Sequence, residues 1–329
     1  MNATLKNKIK KHLQKTSNKT IAIIGDVMLD QYFWGNVTKI SPEAPVPVVD
    51  ITAEAYHLGG AANVAQNLKS LGCQPILFGL LGDDENAERF LELCKEKDLE
   101  TIGLYKDPNR ETTIKTRIIG NGQQIVRMDR EITDDIDKTA ENFIMDNLQS
   151  LPQLDAIVFE DYDKGTIKKH LINKIILFAK TKGIPTFVDP KFNNFSNYNN
   201  VTLFKPNKKE TEAGLKIKLN SEENIISAGN MIMKKYNIEN VLITLGANGM
   251  VFFDNRYKVH KFSTIAKNVI DVSGAGDTAI ATITAMYVAG MSFAEASMVA
   301  NIAAGIVCEK SGIVAIEKKD LIEWIEKYL

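Results

Sequence analysis

Asp271-Val272-Ser273-Gly274-Ala275-Gly276-Asp277 sets two carboxylates at the ends of a turn of small residues, and a small-residue and apolar run, Thr278 to Gly290, follows it. That run reads as a helix. Glycines without Cβ let backbone N–H groups approach an anion, and the start of the following helix adds positive partial charge. A phosphate can therefore sit over Gly274, Ala275 and Gly276, with Asp277 beside it to take a proton from an attacking hydroxyl. In outline this is a phosphoryl-transfer site. The competing reading is a tight strand-to-helix turn with a capping Asp.

Working outward, the chain alternates short apolar runs with amphipathic ones. Thr20 to Ile24, Pro75 to Leu81, Ala156 to Phe159, Pro185 to Val188, Val201 to Phe204 and Val241 to Leu245 read as buried strands. Asn63 to Leu71, Ala87 to Lys97, Ile167 to Lys182, Ser221 to Tyr236, Thr278 to Tyr287, Phe293 to Lys310 and Lys319 to Leu329 read as helices. This rhythm predicts an α/β fold, a mostly parallel sheet with helices on both faces. Two stretches break it. Pro45 to Ile51 is proline-rich and suits an edge strand. Thr112 to Ile119 and Gln124 to Met128 flank Asn121-Gly122, a hairpin signal. Together, segments at about 44–57 and 111–130 are expected to form a small β-sheet lid over a cleft, and a further hairpin is expected from Met250 to Phe262.

The 329 residues carry a net charge of −1, so no bulk basicity argues for nucleic acid. Three widely spaced cysteines, with no Cys-x-x-Cys, point to a reducing, cytoplasmic setting without disulfides or structural zinc. No run approaches the roughly 18 apolar residues of a membrane span. The lysines of Met1 to Thr20 read as the solvated face of a helix with a narrow stripe of Leu5, Ile9 and Leu13. No P-loop, no Gly-x-Ser-x-Gly turn and no His-x-x-x-His pair occurs.

Ligands of open parallel sheets gather at the carboxyl ends of the strands. Asp26, Asp30, Gly79, Glu160, Asp161, Asp189, Asn207, Glu210, Gly246, Gly249 and Asp271 to Asp277 fall there. Asn207-Lys-Lys-Glu210 offers oxygens three residues apart, which can order water around Mg²⁺ or can form a helix-capping box. Gly59-Gly60-Ala-Ala-Asn63 can admit substrate hydroxyls to the backbone or can serve helix packing. Lys115 and Arg117 share one strand face. With Arg127 they can bind a phosphate, or they can protect an edge strand by charge.

Taken together, Gly25-Asp26 through Asp30, Gly59 to Asn63, Asn207-x-x-Glu210, Thr244-Leu-Gly246 and Asp271 to Asp277 resemble the ribokinase-like (PfkB) carbohydrate kinase family across almost the whole chain. Within it, Ile40 to Val49 and Gln124 to Glu131 resemble the kinase domain of the lipopolysaccharide heptose pathway. That resemblance implies ATP-dependent phosphorylation of D-glycero-β-D-manno-heptose 7-phosphate at C1. Asp277 would be the base, and Gly274 to Gly276 the anion hole. Asn207 and Glu210 would support Mg²⁺ through water. Thr244, Gly246, Gly249 and Asn301 would line the nucleotide site. Asp30, Gly60 and Asn63 would hold the sugar, and Lys115, Arg117 and Arg127 its phosphate. Asp271 and nearby carbonyls would offer a site for a monovalent cation such as K⁺, and the lid would pair two subunits. The sequence departs from the family pattern at Leu58-Gly59 and at Asp163, and no His-x-x-His nucleotidyltransferase domain is expected within the chain. A sibling kinase acting on another sugar, a nucleoside or a sugar phosphate is the alternative, and a non-catalytic sugar or nucleotide sensor is another.

Overall fold

Ile21 and Ile23 turn to one face of the strand at Thr20–Gly25, Ala22 and Ile24 to the other, and each pair is sealed into a separate apolar core. A strand buried on both faces must be covered by two helical layers, as the alternating sequence required. The computed structural model describes residues 3–328.

Helix α1 (Ala3–Lys15) buries Ile9 and Leu13, while its lysines reach acids such as Glu295 and Glu326. The ends of the expected terminal helices at residues 1–2 and 329 lie outside the described residues. Strand β1 (Thr20–Gly25) leads into β2 (Val27–Ile40) and β3 (Pro47–Gly60), then α2 (Ala61–Ser70), β4 (Gln74–Gly82), α3 (Glu85–Glu96) and β5 (Glu100–Asp107). The hairpin β6 (Ile114–Gly120) and β7 (Gln123–Arg130) turns through Asn121 and Gly122, both at positive φ (52° and 80°), as a two-residue loop of this kind demands. There follow α4 (Lys138–Ser150), β8 (Ala156–Glu160), α5 (Lys169–Lys182), β9 (Thr186–Asp189), β10 (Leu203–Phe204), α6 (Lys208–Leu215), α7 (Glu222–Tyr236), β11 (Asn240–Thr244), β12 (Met250–Phe253), β13 (Val259–Phe262), α8 (Ala275–Val288), α9 (Phe293–Cys308) and α10 (Lys318–Tyr328).

The large sheet runs β13-β12-β11-β10-β9-β8-β1-β4-β5, parallel from β11 to β5, with β12 and β13 antiparallel at one end. The order in which the chain adds strands reverses at β1, toward β4 and β5 on one side and β8 to β11 on the other, the switch point where such sheets bind ligands. Helices α1, α2, α3, α8, α9 and α10 pack on one face, and α4, α5 and α7 on the other.

The lid is a four-stranded sheet in the order β3-β2-β6-β7. Its boundaries correct the expectation. Of the expected strand Pro45 to Ile51 only Pro47 onward belongs to β3, which runs to Gly60, and the long β2 at the centre of the sheet was not foreseen. That strand lacks clean alternation because its two faces serve the cleft and solvent, and bulges at Trp34/Gly35 and Val37/Lys39 shift its register.

Candidate active site

The carboxyl ends of four neighbouring parallel strands carry ionisable groups: Asp26 after β1, Glu160 closing β8, Asp189 closing β9 and Lys205 after β10. Parallel register sets Glu160 level with Asp189 on one side and Gly25 on the other. Helix α8 faces them. Its cap, Gly274, is left-handed (φ 77°), and a Cβ there would come within 2.8 Å of the Asn63 amide. Glycine is thus needed for conformation and for space. The helix starts at Ala275 rather than Thr278, so Asp277 lies inside the first turn, where the helix dipole favours an anion.

Asp277 is 6% exposed and holds a donor on each oxygen. The Asn63 side-chain amide donates to Oδ2 at 2.7 Å, and the Tyr162 hydroxyl donates to Oδ1 at 2.9 Å. Burial pushes the Asp277 carboxyl above its usual range; the Asn63 bond pulls it down, Asp189 pushes it up, and the Tyr162 bond pulls it down. Asn63 is braced by Asn67, whose side chain donates to the Asn63 carbonyl at 2.8 Å and accepts from Thr278 Oγ1 at 2.9 Å.

Tyr162 is the functional residue that the sequence reading missed. It belongs to the loop after β8, and that loop is tied down by Asp26. One Asp26 oxygen accepts from the backbone N–H of Tyr162 (2.8 Å) and of Lys164 (3.0 Å), the other from Thr166 (3.1 Å). Burial, then Asp277, raises the Tyr162 phenol well above its ordinary value, so it stays a donor. The Lys191 ammonium lies 4.8 Å from its ring centre. The sequence signals were its position, immediately after the Glu160-Asp161 end of a buried strand, and its place in Asp161 to Gly165, a stretch that resembles the heptose subgroup but gave the tyrosine no role.

One oxygen from each of Glu160, Asp189 and Asp277 falls within 4.8 Å of the others. Lys205, itself 2% exposed, reaches Asp189 at 2.7 Å, and Lys191 reaches Glu210 at 2.8 Å. Asn207 and Glu210 form the capping box. Asn207 Oδ1 accepts from the Glu210 N–H at 2.9 Å, and Glu210 Oε2 accepts from the Asn207 N–H at 2.8 Å. Both Glu210 oxygens therefore have donors, an arrangement that suits a water-mediated Mg²⁺ contact there. The all-oxygen character of the acidic group nearby, with both Glu160 oxygens lacking a partner, fits a hard divalent cation.

A largely apolar cavity of about 290 Å³ opens beside the helix start. It is lined by Asn207, Thr244, Gly246, Gly249 and Asn301, all five foreseen, together with Ala275 and Gly276. Val269, Val272, Ala304 and Cys308 add an apolar wall suited to a planar base. Asn301 is held in place by donating to the Ser263 carbonyl at 2.8 Å. Gly276 lines the cavity, and a Cβ there would lie 3.5 Å from Lys205 Nζ and 3.7 Å from Asp189 Oδ2, so the cavity and the acid cluster adjoin at this turn.

On the lid, Asp30, Tyr32, Lys115, Arg117 and Arg127 share one face, since Asp30 is level with Lys115, Tyr32 with Arg117, and Arg117 with Arg127. The cations have carboxylate partners within the same sheet. Arg117 is ion-paired to the buried Asp30, and Arg127 lies 2.9 Å from Asp129. Lys115 is 4.0 Å from the same Asp129. Asp30 in turn packs on Gly59, where any Cβ would overlap its carboxylate. Gly60 turns the chain at φ 57° into α2, which carries Asn63. Asp271 closes the Gly274 turn by accepting from the Ser273 N–H at 2.9 Å, and it also accepts from the Gly312 N–H at 3.2 Å.

Residues 18–319 match the family model of the pfkB family carbohydrate kinases. The chain belongs to the pfkB carbohydrate kinase family. Among curated proteins it is similar to the bifunctional protein HldE of Geobacter sulfurreducens, 38% identical over 301 residues, which are 91% of this chain and 61% of that one. It is also similar to the bifunctional protein HldE of Helicobacter pylori, 39% identical over 307 residues, 92% and 66% of the two chains. The chain thus spans roughly three fifths to two thirds of the length of these relatives. Among solved structures it is similar in fold to Escherichia coli phosphofructokinase-2 in complex with fructose-6-phosphate, with a TM-score of 0.79, 18% identity and coverage of 95% and 99%. Arabidopsis thaliana ribokinase complexed with ribose and ATP gives 0.74, 18%, 95% and 100%. These show the ribokinase-like fold, which the resemblance of the motifs had led us to expect.

Proposed function

We propose that this kinase transfers the γ-phosphoryl group of ATP to the C1 hydroxyl of D-glycero-β-D-manno-heptose 7-phosphate, giving the 1,7-bisphosphate for ADP-heptose and lipopolysaccharide core synthesis. The observation that carries the reading is the position of Asp277. It stands in the first turn of α8, next to residues lining the apolar cavity on one side and bonded on the other to Asn63 of the helix that follows the lid. The heptose substrate rests on the lid strings Ile40 to Val49 and Gln124 to Glu131 and on the likeness to proteins named HldE.

In this mechanism Asp277 accepts the proton of the acceptor hydroxyl as its oxygen attacks the γ-phosphorus and the bond to ADP breaks. Asn63 and Tyr162 hold the carboxylate in line. The N–H groups of the Gly274 to Gly276 turn and the α8 dipole receive the moving phosphoryl charge. Asn301, Thr244, Gly246 and Gly249 shape the adenine and ribose side. Arg117, Lys115 and Arg127 on the lid meet the sugar's own phosphate, with Asp30 and Gly60 at its hydroxyls, and lid closure excludes water. Mg²⁺, when bound, neutralises phosphate charge, with Asn207 and Glu210 ordering its water shell. Asp271, with neighbouring carbonyls, offers a monovalent cation a place behind the anion hole. The reaction is placed in the cytoplasm, where ATP is available. The exposed outer row of the lid, with Ile51, Val126 and Met128, suits pairing with a second copy.

A coupled assay for ADP release over a panel of acceptors tests the reading. Release with a seven-carbon sugar 7-phosphate, and little with fructose 6-phosphate or ribose, is expected. Preferred release with one of the latter would reassign the enzyme to a sibling activity, and none with any acceptor would make it a sensor.

A further inference from the structure

Both donors to Asp277 are mounted on the roots of the lid. Asn63 belongs to α2, which begins where β3 ends. Tyr162 belongs to the loop after β8, and the other three roots converge on that loop. Asp26, at the foot of β2, accepts three of its N–H groups. Arg110 lies in the segment entering β6, and Glu131 to Ile136 form the segment leaving β7. Arg110 Nη1 donates to the Lys164 carbonyl at 3.1 Å and to the Ile132 carbonyl at 2.9 Å, while Nη2 donates to the Asp134 carbonyl at 2.6 Å. Lys164 Nζ reaches back to Glu131 Oε1 at 2.6 Å, and the Ile136 N–H donates to the Gly165 carbonyl at 3.0 Å. The two segments are so close that a Cβ on Gly165, itself at φ 93°, would overlap the Asp134 carbonyl. The Arg110 side chain is 7% exposed, and the carboxylate paired with it, Asp107, stands 3.8 Å off. Its planar fork therefore serves carbonyls of both segments at once, a geometry that a lysine ammonium does not offer.

We propose that Arg110 is a positioning residue for phosphoryl transfer: it ties the lid hairpin to the Tyr162 loop, so that the seat of the lid sets the bond between Tyr162 and Asp277. Arg110 acts through the Lys164 carbonyl, two residues beyond the tyrosine. Substrate held by Lys115 and Arg117 on β6 fixes the hairpin, and the guanidinium passes that position to the loop. A seated lid then aligns the carboxylate. An open lid leaves bound ATP without a well-placed base, which limits idle hydrolysis. The inference rests on the reading of Asp277 as the base, and not on the identity of the sugar.

A double-mutant cycle tests it, run on the full chain with whichever acceptor gives most ADP release. Arg110→Gln alone should lower kcat about tenfold with KM for ATP little changed. It should also move the acid limb of kcat/KM to higher pH, the direction that follows from losing the Tyr162 bond. In a Tyr162→Phe chain the same substitution should change kcat by less than about twofold, because the bond it acts through is gone. Equal losses in both backgrounds, or an unmoved acid limb, overturn the proposal. Should Arg110→Gln fail to fold, Lys164→Gln, which removes the bridge to Glu131, takes its place in the cycle with the same two outcomes. Should no acceptor be turned over, hydrogen exchange decides: either variant should speed exchange at 131–136 and 162–166 together, and faster exchange at 131–136 alone overturns the link. Normal turnover in Asp277→Asn would sink the base itself, whereas additive losses beside a dead Asp277→Asn enzyme sink only the link.

Discussion

The Tyr162 hydroxyl donates to Asp277 Oδ1 at 2.9 Å. The bond puts a neutral, partly buried phenol on one oxygen of the proposed base, so in this account Tyr162 positions Asp277 and helps set its proton affinity. A hydrogen bond to a charged group is worth about 1.5–3 kcal/mol, and one pKa unit corresponds to about 1.4 kcal/mol. Tyr162→Phe removes a bond that lowers the Asp277 pKa, so the acid limb of the kcat/KM profile should move to higher pH. An unmoved limb with lower kcat would mean that Tyr162 acts only by packing.

Asp26 controls Tyr162 from a distance. Its carboxylate accepts three backbone N–H groups of the loop that presents the phenol. Asp26→Asn keeps the size but turns an N–H₂ toward those donors. Stability should fall by about 3 kcal/mol or more, and kcat should drop while KM for ATP changes little. Denaturant unfolding and steady-state kinetics check both; a stable variant with normal kcat would show that the loop holds itself.

Gly246 and Gly249 are both left-handed, at φ 59° and 81°, yet they differ in surroundings. A Cβ at Gly246 meets nothing within 4 Å, whereas one at Gly249 would overlap the Phe262 carbonyl. Gly246→Ala should cost about 1–2 kcal/mol, the ordinary price of the left-handed region. Gly249→Ala should cost clearly more and should raise KM for ATP, because β13 must move away from the cavity wall. Equal melting temperatures for the two variants would contradict this.

The lid cations separate in the same way. Arg127 has a side chain 50% exposed, while Arg117 is 14% exposed and paired to Asp30 at 3%. Arg127→Ala should raise KM for the sugar phosphate and leave stability within about 0.5 kcal/mol. Arg117→Ala should raise the same KM and also destabilise by about 3–5 kcal/mol, since it strands the buried Asp30 charge. Unchanged KM in both variants would remove these arginines from the phosphate site.

Much of this was legible because buried parallel strands announce themselves. Thr20 to Ile24 and Ala156 to Phe159 are continuous apolar runs, and the residues that follow them, among them Asp26, Glu160 and Asp189, fall at the ligand edge. Thr244, Gly246, Gly249 and Asn301, expected to line a nucleotide site, do meet in one cavity. The lid was half-legible: the Asn121-Gly122 turn marked β6 and β7, but β2 carries polar residues on both faces and bulges twice, so no period survives. The polar edge strand β5 and helix α4 were also unmarked. What spacing could not supply was pairing. Nothing in the order of residues says that Lys205 would neutralise Asp189 and leave Glu160 bare, or that a tyrosine after β8 would reach a carboxylate 115 positions away.

The sharpest trial is Asp277→Asn with heptose 7-phosphate as acceptor, read by kcat beside the Kd for ATP. A fall in kcat of about 10²- to 10⁴-fold with ATP affinity unchanged is expected of a lost general base. Turnover near wild type, with ATP still bound, would contradict the role given to this carboxylate.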